Sequence, residues 1–180
     1  ARAAAEAEAR GAALAAAEAT GDPGTRAAAY EALMEGDGAA AIARFGAAAA
    51  RAEAGEIEAA LAHLDAISTG GETTAIYRDL AQIKAVQLRA ATLTPEALLS
   101  EILPLAQDGR PFRLLALEQA ALARIASGDM AGAEADLDSI LTDPSATPAL
   151  RQRAAQVMVA IGGEIRPQAT LTTGGGETGN

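Results

Sequence analysis

Between residues 56 and 68 the bulky apolar side chains fall at Ile57, Leu61, Leu64 and Ile67, with Ala60 between them. That spacing repeats at three and four residues, which places the set on one stripe of an α-helix. The same rhythm returns over residues 74–91, at Ile76, Leu80, Ile83 and Leu88 with Tyr77 beside them. It returns again over 111–127, at Leu114, Leu117, Ala121, Leu122 and Ile125. The pattern predicts an all-α chain.

Glycine, proline and threonine divide the helical stretches. A first helix over Ala1–Ala19 carries one bulky apolar residue, Leu14, and stops at Thr20-Gly21-Asp22-Pro23-Gly24. A short helix then runs to Glu35, with Thr25 as its expected N-cap and Tyr30, Leu33 and Met34 as contacts. Gly36-Asp37-Gly38 ends it. Further helices are predicted over Ala39–Ala54, Glu56–Ser68, Thr74–Ala91, Pro95–Ala106, Pro111–Ser127, Met130–Thr142 and Pro148–Ile161. Pro95, Pro111 and Pro148 suit a first helical position, where the absent N–H costs nothing. Thr94 and Thr147 precede two of them as caps, and Pro104 should end or kink its helix. Helices of this length joined by short breaks fold most simply as antiparallel hairpins.

Two of the junctions repeat each other. Aligned on Gly55 and Gly128, Ala60 matches Ala133, Leu64 matches Leu137 and Ile67 matches Ile140, an offset of 73 residues. This is close to twice the roughly 34-residue tetratricopeptide period plus an insertion. A middle pair, Thr74–Ala91 with Pro95–Ala106, lacks the turn glycine but echoes the others in Ala97 and Glu101-Ile102-Leu103. The expected fold is therefore a set of antiparallel helix hairpins stacked as a degenerate tetratricopeptide-like solenoid; a generic helical bundle is the alternative. The organisation reads as 1–35 for a spacer helix and a short helix, 36–161 for the repeats, and 162–180 for a Gly/Thr-rich flexible tail.

Composition sharpens this picture. Of the 180 residues, 51 are Ala, against two Phe, two Tyr and no Trp. The helices must therefore approach closely through small side chains. The net charge of −10 argues against nucleic acid, whose phosphates call for a basic stripe. It also argues against lying on an anionic membrane. With no cysteine there is no disulfide, thiolate metal site or cysteine nucleophile. No apolar run is long enough to cross a bilayer.

Several residues and motifs resemble a known family. These are the Ala/Glu/Arg-rich opening helix, Gly21-Asp22-Pro23-Gly24, Tyr77-Arg78-Asp79-Leu80-Ala81, and Pro111-Phe112-Arg113-Leu114-Leu115-Ala116-Leu117-Glu118. Gly128-Asp129 before an Ala-rich helix, Ala146-Thr147-Pro148 and a last helix ending near Gly162 continue the likeness. Together they are similar to YfgM-like tetratricopeptide proteins of the alphaproteobacterial type, from Ala1 to Gly162 but not in the tail. The resemblance implies a periplasmic domain on a single-pass inner-membrane anchor preceding Ala1, ancillary to the SecYEG translocon and to periplasmic chaperones and their clients. On that expectation, Ala1–Ala19 is a spacer between anchor and repeats. An accessory structural subunit of a membrane complex and a cytosolic tetratricopeptide adaptor are the other expectations.

Candidate chemistry is sparse. The single histidine, His63, lies about 200° around its helix from Leu61 and reads as a solvated surface residue. It has no second His or Cys with which to hold zinc. Gly70-Gly71 and Gly174-Gly175-Gly176 lack the Lys-Ser/Thr of a phosphate loop. Glu134, Asp136 and Asp138 are two apart and do not share a helix face. No catalytic, cofactor or metal residue is therefore expected. Partner contacts are expected instead: Phe45, Gln82, Arg89, Glu118 and Leu122 on the groove formed by the first helix of each pair, and Tyr77 at a helix start, with packing between helices as the other reading of Phe45 and Tyr77.

Overall fold

The computed structural model describes residues 2–34, 40–71 and 73–165. Nine α-helices follow in order, with no strand among the described residues: α1 (Arg2–Glu18), α2 (Pro23–Glu31), α3 (Ala40–Glu53), α4 (Ile57–Ser68), α5 (Ala75–Arg89), α6 (Pro95–Ile102), α7 (Arg113–Ser127), α8 (Met130–Thr142) and α9 (Pro148–Ala160). A 3-10 turn over Leu103–Leu105 carries α6 past Pro104 toward α7, as the proline required. Each helix packs on the one that follows, and α5 also touches both α3 and α7.

The two matched junctions have matched backbones. Gly55 and Gly128 take φ of 80° and 84°, a left-handed conformation that glycine adopts without a Cβ clash. Beyond each, the chain closes the same bond: Glu56 N–H donates to the Arg51 carbonyl and Asp129 N–H to the Arg124 carbonyl, both at 2.9 Å. This is the Schellman closure of a helix C-terminus. Only a few residues separate α3 from α4 and α7 from α8, so the two helices of each pair must run antiparallel to pack along their lengths.

Burial matches as well. Ala60 and Ala133 are 0 % exposed, Leu64 and Leu137 are 2 % and 1 %, and Ile67 and Ile140 are 1 % and 0 %. Alanine at 60 and 133 lets the facing helix approach, while the two aliphatic residues fill the space one and two turns on. Leucine at either position should overpack the pair by roughly 1–3 kcal/mol. Thermal unfolding of Ala60→Leu and Ala133→Leu checks this; unchanged melting in both would break the equivalence of the hairpins.

Apolar burial runs along the chain as four linked clusters. Tyr30, Ala43 and Ala47 form the first with Ala17. Leu64, Ile67, Ala81 and Ala85 belong to the second. Ile83, Val86, Ile102, Leu105 and Ala116 join α5, α6 and α7 in the third. Leu137, Ile140, Leu150, Ala154 and Met158 lie in the fourth, where α9 closes the array.

Several local expectations need correction. The cap of α2 is Asp22, not Thr25. The Asp22 carboxylate accepts from the Thr25 amide at 2.8 Å and the Thr25 hydroxyl at 2.6 Å, while Pro23 takes the first turn. The apparent break at Asp22-Pro23 is a cap followed by a proline at the position it favours. Pro111 is not in its helix: α7 starts at Arg113 after Phe112, which offers no side-chain cap. Thr94 and Thr147 do cap α6 and α9, accepting from the Ala97 and Leu150 amides at 3.3 and 3.2 Å.

The short helix α2 belongs to the packed array, although the sequence reading grouped it with the spacer. Ala27 is 0 % exposed and Tyr30 6 %. α1, in contrast, is exposed from Arg2 to Ala12, and its Leu14 and Ala17 pack against the first cluster. Residues 35–39 and most of the 162–180 tail lie outside the described residues.

Tyr30 ties these two helices together, its hydroxyl donating to the Glu18 carboxylate. Burial of the phenol, and then the adjacent Glu18 charge, push its pKa up to about 12. Folding thus favours the protonated phenol. The stability this contributes is complete below the ordinary phenol range near 10 and is lost as pH rises through the folded value. Phenolate absorbance in a pH titration should show one tyrosine ionising near pH 12 in the native protein, and Glu18→Ala should lower that midpoint only in part, because burial of the phenol remains.

Candidate partner-binding surface

Each of α3, α5 and α7 carries an arginine in its last turn: Arg51, Arg89 and Arg124. A cation there offsets the negative end of the helix dipole, and it also reaches acids on neighbouring segments. Arg51 Nη1 donates to Glu56 at 2.6 Å across the α3–α4 turn, and Arg124 Nη1 donates to Asp129 at 2.7 Å across the α7–α8 turn. Both pairs sit at the same offset as the turn glycines.

The next equivalent positions are His63 and Asp136. Arg124 Nε donates directly to Asp136 at 2.9 Å. In the first hairpin α2 supplies the carboxylate instead: Glu31 accepts from Arg51 at 2.9 and 2.8 Å and lies 3.1 Å from His63 Nε2. His63 is thus not a solvated residue; its side chain is only 17 % exposed. Periodicity on one helix correctly put it off the stripe facing α3 and α5. It could not see that α2 packs across that second face. Burial works against the Glu31 charge, but Arg51 and His63 outweigh it and hold the carboxyl below the usual range. Burial dominates at Asp136 and pushes its carboxyl up despite Arg124. The sequence signal for these clasps was the pair of arginines five residues before an acid at both junctions.

The expected partner contacts, five on a groove and Tyr77 at a helix start, have different surroundings. Phe45 and Tyr77 pack on each other edge-to-face between α3 and α5, their ring centroids 6.1 Å apart at 68°. Both are partly buried against the second apolar cluster, so they hold the helices together. Gln82 and Arg89 line a groove of about 340 Å³ between α4 and α6, with Asp65, Ser68, Glu101 and Pro104. Arg89 spans it, donating to Asp65 at 3.3 Å and to Glu101 at 3.1 Å. Glu118 instead faces α9, accepting from Arg153 Nε at 2.7 Å and Nη2 at 2.9 Å. Leu122, one turn further along α7, is 46 % exposed.

A larger cleft, about 590 Å³, opens where the loop before α7 meets the loop before α9. Its wall includes Arg110, Arg113 and Arg153, the acids Asp108 and Asp143, and the apolar side chains of Phe112, Leu114, Leu115 and Leu150. Arg110 Nη2 donates to Asp79 at 2.8 Å, and the Asp79 side chain is 5 % exposed. Asp79 Oδ2, Arg110 Nε and Arg113 Nε are buried without a hydrogen-bond partner among the described residues. Arg113 lies 2.9 Å from Asp108 through Nε and 3.1 Å from Asp143 through Nη1. Asp143 also accepts from the Ser145 amide at 2.7 Å and from its hydroxyl; these bonds, and the nearby Arg113 charge, hold its carboxyl below the usual range.

Within Pro111–Glu118 the sequence pointed only to Glu118 as a partner contact and not to the cleft. The cleft forms because two loops 30 residues apart in the chain meet, and no single-helix pattern records that. Among the described residues no group of His, Cys, Asp and Glu is arranged to hold a metal ion. No described helix is long and apolar enough to cross a membrane. Set beside protein families, curated proteins and solved structures, the chain matches none of them.

Proposed function

We propose that this chain is a tetratricopeptide-like helical-repeat scaffold that binds other proteins and catalyses no reaction. The observation that carries the reading is the recurrence of one hairpin in backbone, burial and charge. Gly55 and Gly128, Ala60 and Ala133, and the Arg51–Glu56 and Arg124–Asp129 clasps all recur at one spacing. Contacts of α5 with α3 and α7 fit helices stacked in series. Stacked hairpins present an extended face, and such faces serve binding. On α7 that face offers Leu122, an exposed aliphatic residue beside the charged Glu118.

The resemblance to YfgM-like proteins supplies the setting: a periplasmic domain tethered to the inner membrane, working beside a translocon or with periplasmic chaperones. A photo-activatable cross-linker at residue 122, compared with one at the exposed Glu134 of α8, tests the reading in membranes. Partner adducts from 122 but not from 134 support a binding face. No adducts at 122, or equal adducts at both, would overturn it. A single stoichiometric partner would point to the accessory-subunit alternative, varied clients to chaperone work, and recovery only from cytosol to an adaptor.

A further inference from the structure

We infer that the cleft in front of α7 receives a carboxylate of a protein partner, carried on an apolar segment, with Arg113 as its main contact. The inference rests on the protein-binding reading and names the chemistry of the partner.

Around this cleft Arg110 is paired with Asp79 and Arg153 with Glu118, which leaves Arg113 to two carboxylates, Asp108 and Asp143. Those two carboxylates differ in commitment. Asp143 holds the α8–α9 loop through Ser145 and anchors Arg113 from the protein side. Asp108 is 96 % exposed and, among the described residues, forms its ion pair with Arg113, at 2.9 Å. Exposed ion pairs of this kind contribute about 0–1 kcal/mol. A carboxylate from outside can therefore replace Asp108 beside Arg113 at little cost.

Such a ligand would leave Asp108 free in water, where an exposed carboxylate is well solvated. It would meet guanidinium groups whose planar forks suit carboxylate oxygens. Phe112, Leu114 and Leu150 form an apolar wall beside them. The site therefore suits an acidic group next to a bulky apolar side chain, not an isolated ion. Arg153 stands at the lip, 51 % exposed, and is held by Glu118 in an orientation that needs no ligand.

Asp108 acts in this scheme as an internal competitor, and that gives the test an unusual sign. The probe is a fluorescein-labelled set of short peptides with one glutamate among leucine and phenylalanine. Each is made as the free acid, as the C-terminal amide and with glutamine for glutamate. Binding is read by fluorescence anisotropy on the full chain. Asp108→Ala should tighten binding roughly threefold or more, the scale of losing a weak exposed pair. Glu96→Ala, which removes an exposed acid on α6, should not. Arg113→Gln should weaken binding roughly tenfold or more, and Arg153→Gln less.

Circular dichroism and melting of each variant keep a folding defect apart from a binding defect. Because Arg113 also braces Asp143, the Asp108→Ala and Arg153→Gln results decide the matter if Arg113→Gln unfolds. Loss of binding only with the amide identifies a chain-terminal carboxylate, and loss only with glutamine identifies a side chain. Equal effects of Asp108→Ala and Glu96→Ala, or no binding by wild type and Asp108→Ala, would overturn the cleft site. Partner adducts at residue 122 together with that result would leave the protein-binding reading standing.

Discussion

Ile67→Ala and Ile140→Ala are each expected to destabilise the protein by roughly 2–5 kcal/mol, the range for emptying a buried aliphatic site. The two isoleucines occupy equivalent places in the α3–α4 and α7–α8 hairpins and are 1 % and 0 % exposed. Ile67 packs with Leu64, Ala81 and Ala85; Ile140 packs with Leu137, Leu150 and Ala154. The alanines around them have no side-chain reach with which to close a cavity. The surrounding helix backbones must shift instead, so the losses should lie toward the upper part of that range. Native domains are stable by only about 5–15 kcal/mol, so either change removes a large share. Denaturant unfolding provides the measurement. A loss below roughly 1 kcal/mol at both positions would contradict this packing.

Gly46→Ala is expected to destabilise the protein even though alanine is the better helix former by about 1 kcal/mol. A Cβ at residue 46 would lie 2.5, 2.6 and 2.7 Å from three atoms of the Tyr30 ring. The ring is rigid and 6 % exposed, set against Ala17, Ala43 and Ala47. Relief requires α2 to move away or the ring to swing out and give up Glu18. The net cost should be about 1–3 kcal/mol, as for other overpacked sites, concentrated in α1 and α2. Hydrogen exchange would locate it there. The sign should reverse in a Tyr30→Ala background, where the clash is gone and only helix propensity remains. Destabilisation by Gly46→Ala in both backgrounds would refute the contact.

Both predictions turn on features of different legibility. Ile67 and Ile140 could be matched in the amino-acid sequence because their hairpins repeat with the same turn glycine, the same small residue and the same apolar spacing. Gly46 could not, because nothing within α3 marks it. It interrupts an alanine-rich helix without ending it, and its reason lies on α2. His63 was misjudged for the same cause, since Glu31 reaches it from an element 32 residues away. For Phe45 and Tyr77 the sequence left a partner surface and packing between helices both open, and the structure packs them on each other, since scarcity of aromatic residues says nothing about which face they take.

The cleft before α7 follows the same logic. Arg110, Arg113 and Arg153 come from one loop and two helices, and their acids Asp79, Asp143 and Glu118 from α5, the α8–α9 loop and α7. Helix content, hairpin turns, two of the threonine caps and the repeat spacing were determined by the sequence alone, because each is set by interactions within a few residues or by one helix's periodicity. Which charges meet, which glycine lies under a ring and where concavities open were decided only by the tertiary structure. Those depend on the register between helices, and in an alanine-rich chain the small uniform side chains leave many registers alike to a local reading.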